Sequence, residues 1–494
     1  MTVSVASAAL AGIDAALITV ETRVCPGMGY LIVGLPGDAV KESLFRVESA
    51  ISSLELTMPR QKILVCLAPA GVRKEGAVFD LPIALSILAA SDQLAPEQLE
   101  GFLFTGELSL TGKLRPVKGA LSVAMEAHKN GFQRLVLPKE NAAEAAMVSD
   151  LAVFGFERLE QVIGFLTDPE RVKPEPVPDV KERPDNLLFV ADFADVQGQA
   201  EVKRALEIMA AGGHNGLLTG PPGSGKTMLA ARLPGIMPPL TLDEALETTR
   251  VYSVAGALDS SGLMTQRPFR APHHTASDIA MVGGGPVAMP GEISLAHQGV
   301  LFLDELPEFH RQVLEVLRQP LEDRQIVISR ASYTVTFPAN FVLLAAMNPC
   351  PCGFYRHTTR KCVCTPHAIR KYLAKISGPL LDRIDLHVGV GPADMTKAQT
   401  ESSAAVRARV IAARDVQMER AGRCNGLMNP AMVKSFCALG KTETAVLQQA
   451  MVQHKLSARS YERILKVART VADLAGEAHI SLAHLAEAIS YRVK

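Results

Sequence analysis

The 494-residue sequence predicts an α/β protein of two or three domains, and three observations carry that prediction. Its length exceeds what one hydrophobic core usually supports. Short apolar runs suited to strands alternate with helical patterns up to about residue 390, after which only helical patterns occur. A glycine-rich stretch, GPPGSGKT (220–227), follows the apolar run GLL (216–218) and opens a helix, which is the setting of a phosphate-binding core.

Composition narrows the class. Apolar residues make up 48%, enough for globular cores, while the absence of Trp and 5% aromatics indicate a lean Ala/Leu/Val-rich interior. Lys+Arg and Asp+Glu both total 51, so positive charge for a polyanion would have to be concentrated locally, as in a narrow channel. No apolar run reaches membrane-spanning length; LPIALSILAA (81–90) is about half of it. Without a basic leader, and with Asp14 and Glu21 interrupting it, the apolar amino terminus reads as a strand or helix. A cytoplasmic location is the expectation, and there thiols stay reduced.

In chain order, residues 1–166 alternate strands (ILVCLAP, RLVLP) with helices (DAVKESLFRVESAIS, ALSVAMEAHKNG), a small α/β domain. Residues 167–190 form a linker whose prolines 169, 174, 176, 178 and 184 keep it extended. An α/β core follows over 191–394. Residues 395–494 are helical throughout.

In the core, Gly220, Pro221, Pro222, Gly223, Ser224, Gly225, Lys226 and Thr227 match G-x-x-x-x-G-K-[ST]. Gly223 and Gly225 let backbone N–H groups turn toward phosphate oxygens, Lys226 brings charge to the outer phosphates, and Thr227 offers a hydroxyl to Mg²⁺. ATP with Mg²⁺ is the expected cofactor. In GVLFLDE (299–305) an apolar strand ends in Asp304, placed to hold the metal's water shell, and Glu305, placed as general base. A further strand, FVLLAAMN (341–348), delivers Asn348 to orient water or meet the terminal phosphate, with QVLEVLRQPLED read as one intervening helix.

These segments, with RPFRAPHHTAS (267–277), GEISLAHQGVLFLDELPEF (291–309) and NPCPCG, resemble the magnesium-chelatase-like AAA+ ATPases, and among them the ComM/YifB group, over essentially the whole chain. The resemblance implies an AAA+ core with a helical lid, a homo-hexameric ring, and active sites shared between subunits. It implies that DVQGQ (195–199) cradles adenine, that Arg383 in SGPLLDRIDLHV is an arginine finger, and that Arg459 in LSARSYERILK is a second sensor on the lid. If Ser457 caps that helix, Arg459 sits in its first turn, where the dipole disfavours a cation unless an anion faces it. Two inserts, 262–291 and the hairpin RQIVISRASYTVTFP (324–338) with Arg330–Ser332 at its tip, match pore elements. A cation at such a tip suits a phosphate backbone.

KEGAVFDLPIALSIL (74–88) and FTGELSLTGKLRPVKGALSVAMEAHKNGFQRLVLPKEN (104–141) resemble the Lon protease domain. Val78 occupies the nucleophile position and Leu121 the lysine position, and neither can do that chemistry. A Lon-like fold kept for binding or assembly is expected, and an ATP-dependent protease is the least favoured reading.

Four of eight cysteines, Cys350, Cys352, Cys362 and Cys364, fall within NPCPCGFYRHTTRKCVCTP (348–366). Two C-x-C pairs can supply Cys₄ to zinc, with His357 or His367 as substitutes. A redox or iron–sulfur role and unliganded thiols stay open behind it. The loop carries Arg356, Arg360 and Lys361, cations suited to DNA or to the next subunit. Its place on a different segment from the phosphate loop predicts that nucleotide binding survives its loss. The expected function is an ATP-driven DNA motor, a helicase promoting branch migration in homologous recombination and natural transformation, on single-stranded or branched DNA with recombination proteins as further partners. The alternative is a chelatase-type motor that remodels a protein partner.

Overall fold

The computed structural model describes residues 2–177, 191–258, 262–285, 288–330, 333–357, 360–391 and 401–492. The apolar amino terminus is two long antiparallel strands, Thr2–Ala11 and Asp14–Cys25, joined by a tight turn at Gly12. They form the middle of a mixed seven-stranded sheet in the order Tyr30–Val33, Lys62–Ala68, Asp14–Cys25, Thr2–Ala11, Phe102–Phe104, Arg134–Pro138, Ala152–Phe156. LPIALSILAA is a helix, Asp80–Ala90, with every residue buried against this sheet. An apolar helix without a polar face belongs inside a core, and this one accounts for the hydropathy peak. Among the described residues no helix is long and apolar enough to cross a membrane.

Past the helix Leu159–Thr167, the linker's first residues stay against this domain: Glu175 donates its N–H to Val153 O and pairs with Lys139 at 2.7 Å. Residues 178–190 lie outside the described residues. The two domains are in direct contact. Arg250 donates to Ile13 O and pairs with Asp14, Ser253 donates to Glu144, and Val335 packs on Gly12.

The core sheet has five parallel strands in the order Phe269–Arg270, Val300–Leu303, Val342–Met347, Gly216–Thr219, Leu386–Gly389. VLFL and VLLAAM are buried at every position because helices and loops cover both faces, the usual fate of parallel strands. TLDEALETTRVYSVAG is one helix, Leu242–Ala255, opened by a Thr241/Glu244 capping box and closed by left-handed Gly256. QVLEVLRQPLED is not one helix but two, Arg311–Val316 and Arg318–Asp323. Pro320 has no N–H to return to Val316, and the ladder breaks at Leu317. The hairpin Gln325–Arg330/Tyr333–Pro338 forms as expected; Ala331 and Ser332 of its tip lie outside the described residues.

From Ser403 onward the chain is helical, and the long helices Ser403–Ala421 and Ala458–Leu474 share one hydrophobic core with the phosphate-loop side of the sheet. The boundary expected at 394/395 falls in 392–400, outside the described residues.

Candidate active site and cysteine cluster

Three adjacent strands end at one rim of the sheet, and their carboxyl ends deliver the three polar groups that the sequence singled out. Ligands of open parallel sheets bind in this crevice. A cleft of about 420 Å³ there is walled by the phosphate loop, Asp304, Glu305 and Asn348.

Gly223 and Gly225 adopt φ of +77° and +83°, which curls the loop as the motif requires. At Gly220 a Cβ would stand 2.5 Å from Val390 O, so this position admits no side chain. Lys226 is buried at the start of its helix and donates to Gly220 O and Pro221 O, both at 2.9 Å, and to Asn348 Oδ1 at 3.2 Å. Burial lowers its pKa, while Asp304 and Glu305 pull it back up. The ammonium is held in place before any phosphate arrives. Thr227 Oγ1 donates to Asp304 Oδ2 at 2.6 Å, and Asp304 Oδ1 accepts from Glu305 N–H at 2.8 Å. A hydroxyl and a carboxylate in contact, beside a glycine-curled loop and a buried ammonium, fit a hydrated Mg²⁺ and a triphosphate.

Glu305 itself is left-handed, with φ of 50°. For a residue with a Cβ this costs about 1–2 kcal/mol. Strain of that kind persists where the backbone must aim one side chain. The carboxylate it aims is half-exposed and faces His274 Nδ1 at 3.5 Å. His274 stacks on His273 with ring centroids 4.1 Å apart. Sequence reasoning assigned His274 no role; RAPHH stood in a quoted motif, but 31 residues separate it from Glu305 and nothing local tied them together.

The four cysteines meet. Their sulfurs all lie within 4.8 Å of one another, with Cys350–Cys352 at 3.4 Å, Cys350–Cys362 at 3.7 Å and Cys352–Cys362 at 3.6 Å. Zn–S bonds of about 2.3 Å in a tetrahedron put sulfurs roughly 3.8 Å apart, so the donor set fits zinc. Backbone N–H groups of Phe354 and Val363 lower the Cys352 thiol to about 6. His357 Nδ1 is taken up accepting from Arg360 N–H at 3.1 Å, and neither it nor His367 joins the sulfur group. Arg356 and Arg360 lie over the Tyr355 and Phe354 rings at 5.5 and 5.1 Å, and Lys361 is exposed.

The cysteine loop, though on a different segment of the chain, touches the phosphate loop: Gly353 packs directly on the Pro222 ring, where an added Cβ would be 2.9 Å from Cγ and closer to Cδ.

The family models described as magnesium chelatase, subunit ChlI, its ChlI subunit domain and its C-terminal domain match residues 192–398, 20–141 and 400–492. The chain belongs to the magnesium-chelatase subunit ChlI family. Its relatives include competence protein ComM of Haemophilus influenzae, 47% identical over 98% of this chain and 96% of that protein. YifB of Escherichia coli is 44% identical over 97% and 95%. Lon protease 4 of Sorangium cellulosum is 28% identical over 42% of this chain and 23% of its own length.

As a ChlI-family AAA+ protein the chain carries an ATPase fold, and the remaining residues can be placed in it. Arg383 lies before the strand Leu386–Gly389, at the amino end of the sheet, away from the chain's own cleft. It is buried, paired with Glu322 at 2.6 Å and donating to Pro379 O at 2.8 Å. Ser457 does cap the helix Ala458–Leu474, accepting from Ser460 N–H at 3.2 Å. Arg459 stands exposed in its first turn without an ion pair among the described residues. DVQGQ is tied to the sheet's edge by Gln199 Nε2, which donates to Gly391 O at 2.7 Å. Exposed Arg330 reaches Gly284 of the small hairpin Gly283–Gly284/Met289–Pro290, so the two inserts meet at their ends. In the Lon-like part, Val78 O accepts from Gly106 N–H and Leu121 is buried. Ser122 donates to Ile13 O at 2.6 Å within its own domain while Lys118 packs on Gly256 of the ATPase core, so the two are committed to different partners.

Proposed function

We propose that the chain is an ATP-driven DNA motor that works as a homo-hexameric ring, a helicase promoting branch migration during homologous recombination and natural transformation. Near-full-length identity to a competence protein is the observation that carries this reading. The meeting of Arg330 with the Gly284 hairpin supports it from the geometry, because it sets a cation where the two inserts meet, which suits a phosphate backbone.

In this reading ATP and Mg²⁺ are held by backbone N–H groups of Gly223, Gly225 and Lys226, by the Lys226 ammonium, and by Thr227 and Asp304; the bound metal would supply charge neutralisation at the phosphates. Glu305 takes the proton of the attacking water, and Asn348 orients that water. Lys226 exchanges its carbonyl partners for phosphate oxygens. Arg383, facing away from its own cleft, leaves Glu322 to grip a neighbour's phosphate, for which a planar guanidinium suits two oxygens at once. Arg459 meets the same nucleotide from the lid. The four cysteines would hold zinc, whose bonds would fix a loop too polar to hold itself, and Gly353 of that loop braces Pro222.

The test is ATP turnover with and without single-stranded and branched DNA. Strong stimulation, lost in Arg330→Ala together with a shallower salt dependence, is expected. DNA-indifferent turnover overturns the motor-on-DNA reading. It would favour the second reading, a motor acting on a protein partner, which rests on the family's chelatase name.

A further inference from the structure

A second cleft, of about 200 Å³, opens where the lid meets the core. It lies at the amino ends of the strands, beside Gly299 and Val342, so the length of the sheet separates it from the nucleotide cleft. At roughly 30 Å³ per water its volume is that of about seven waters, room for a small ion with its hydration.

Four arginines line it, two from the core, Arg267 and Arg324, and two from the lid, Arg414 and Arg423. Glu244 is the lone acid in the lining, and it is already committed to Arg267 at 2.8 Å. Arg267 spends its other donors on the carbonyls of Pro238, Gln298 and Pro239. Arg324 donates one N–H, to Phe341 O at 2.8 Å, and has no carboxylate within ion-pair range among the described residues. Arg414 donates to Ala211 O and Ala210 O at 2.9 and 2.8 Å, at the end of the helix Ala200–Gly212, and has no carboxylate either. Arg423 makes no hydrogen bond or ion pair with the described residues. Three guanidinium groups thus converge from both sides of a domain junction with donors to spare and no paired carboxylate among the described residues.

Burial lowers the pKa of Arg267 and of Arg324; Glu244 opposes it at Arg267 and Asp385 at Arg324, while Arg414 and Arg463 respectively push the same way as burial. Charges gathered at such a cost are usually retained for a partner that compensates them. Guanidinium forks match the oxygens of a phosphate group in pairs.

We propose that this cleft is a second, non-catalytic anion site that takes a phosphate-class oxyanion and clamps the helical lid to the core. Bound there, the anion bridges Arg324 of the core to Arg414 and Arg423 of the lid. Because the lid also carries Arg459, occupancy stiffens the element that has to move during turnover. Free phosphate, pyrophosphate and a terminal 5′-phosphate of nucleic acid share this chemistry.

The experiment uses the full chain carrying Lys226→Ala, so that phosphate binding at the catalytic loop is removed from the signal. Thermal unfolding is followed against inorganic phosphate, pyrophosphate and a 5′-phosphorylated against a 5′-hydroxyl oligonucleotide, with chloride at equal ionic strength as the control. The expected result is a saturable rise in Tm of at least about 2 °C with one of these. Adding Arg423→Gln should weaken that binding about tenfold, and Arg324→Gln more. Arg423 is exposed, so its variant folds even if Arg324→Gln does not. A rise that chloride reproduces, or one that survives both substitutions, overturns the proposal. The probe that saturates identifies the source.

Discussion

Replacing Gly353 by Ala tests the contact that couples the cysteine loop to the catalytic loop. Gly353 has φ of +84°, where an L residue costs about 1–2 kcal/mol. Its Cβ would stand 2.9 Å from Pro222 Cγ and closer to Cδ. Carbon atoms rest about 3.5 Å apart at the nearest, so the ring must retreat by at least ~0.6 Å. Pro222 is a rigid ring inside the phosphate loop, and a displacement approaching 1 Å in a site of this kind costs up to about 10²-fold. Gly131→Ala is the control: its φ is +80°, but a Cβ there meets nothing within 4 Å. Both variants should lose stability on thermal unfolding, Gly353→Ala the more because of its clash. Only Gly353→Ala should weaken nucleotide binding, by about 10- to 100-fold in titration with a fluorescent ATP analogue. If folded Gly353→Ala bound nucleotide like the parent chain, the mechanical link between the two loops would be refuted.

Lys226→Ala should abolish nucleotide binding, whereas Glu305→Gln should keep binding and stop turnover, since the base goes while Thr227 and Asp304 remain; normal turnover in Glu305→Gln would remove the base assignment. Protein purified without chelator should contain about one zinc per chain, and Cys350→Ser with Cys352→Ser should release it; a metal-free, fully active protein would leave the thiols unliganded. His387 is held neutral, its pKa lowered to about 4 by burial and by Arg492, whose Nη1 lies 3.2 Å from Nε2. The unfolded chain binds a proton near pH 6.5 that the folded chain refuses until about 4, so stability contributed by neutral His387 falls as pH drops through that window. At pH 4 the loss is on the order of 3 kcal/mol, and His387→Gln should flatten this part of the urea-unfolding profile; an unchanged slope would show that His387 titrates normally.

The linear sequence determined whatever depends on residues close in the chain. GPPGSGKT specified its loop because left-handed glycines are a local demand, and VLFL and VLLAAM declared themselves buried strands by lacking any polar face. Ser457 announced its helix, and two C-x-C pairs announced a cluster. Local pattern misjudged QVLEVLRQPLED, where one proline outweighed an unbroken helical period. Only the tertiary structure decided which distant segments share a space. Parallel strand order set Asp304, Asn348 and Lys226 around one cleft, and it turned Arg383 to the opposite rim against Glu322. It brought His274 to Glu305, pressed Gly353 on Pro222, and gathered Arg267, Arg324, Arg414 and Arg423 from three separate stretches of chain. Each of those is a meeting of side chains across tens to hundreds of residues. Hydrophobic periodicity says which face of an element is buried, but not which element will cover it, and the chemistry of this molecule lies largely in those meetings.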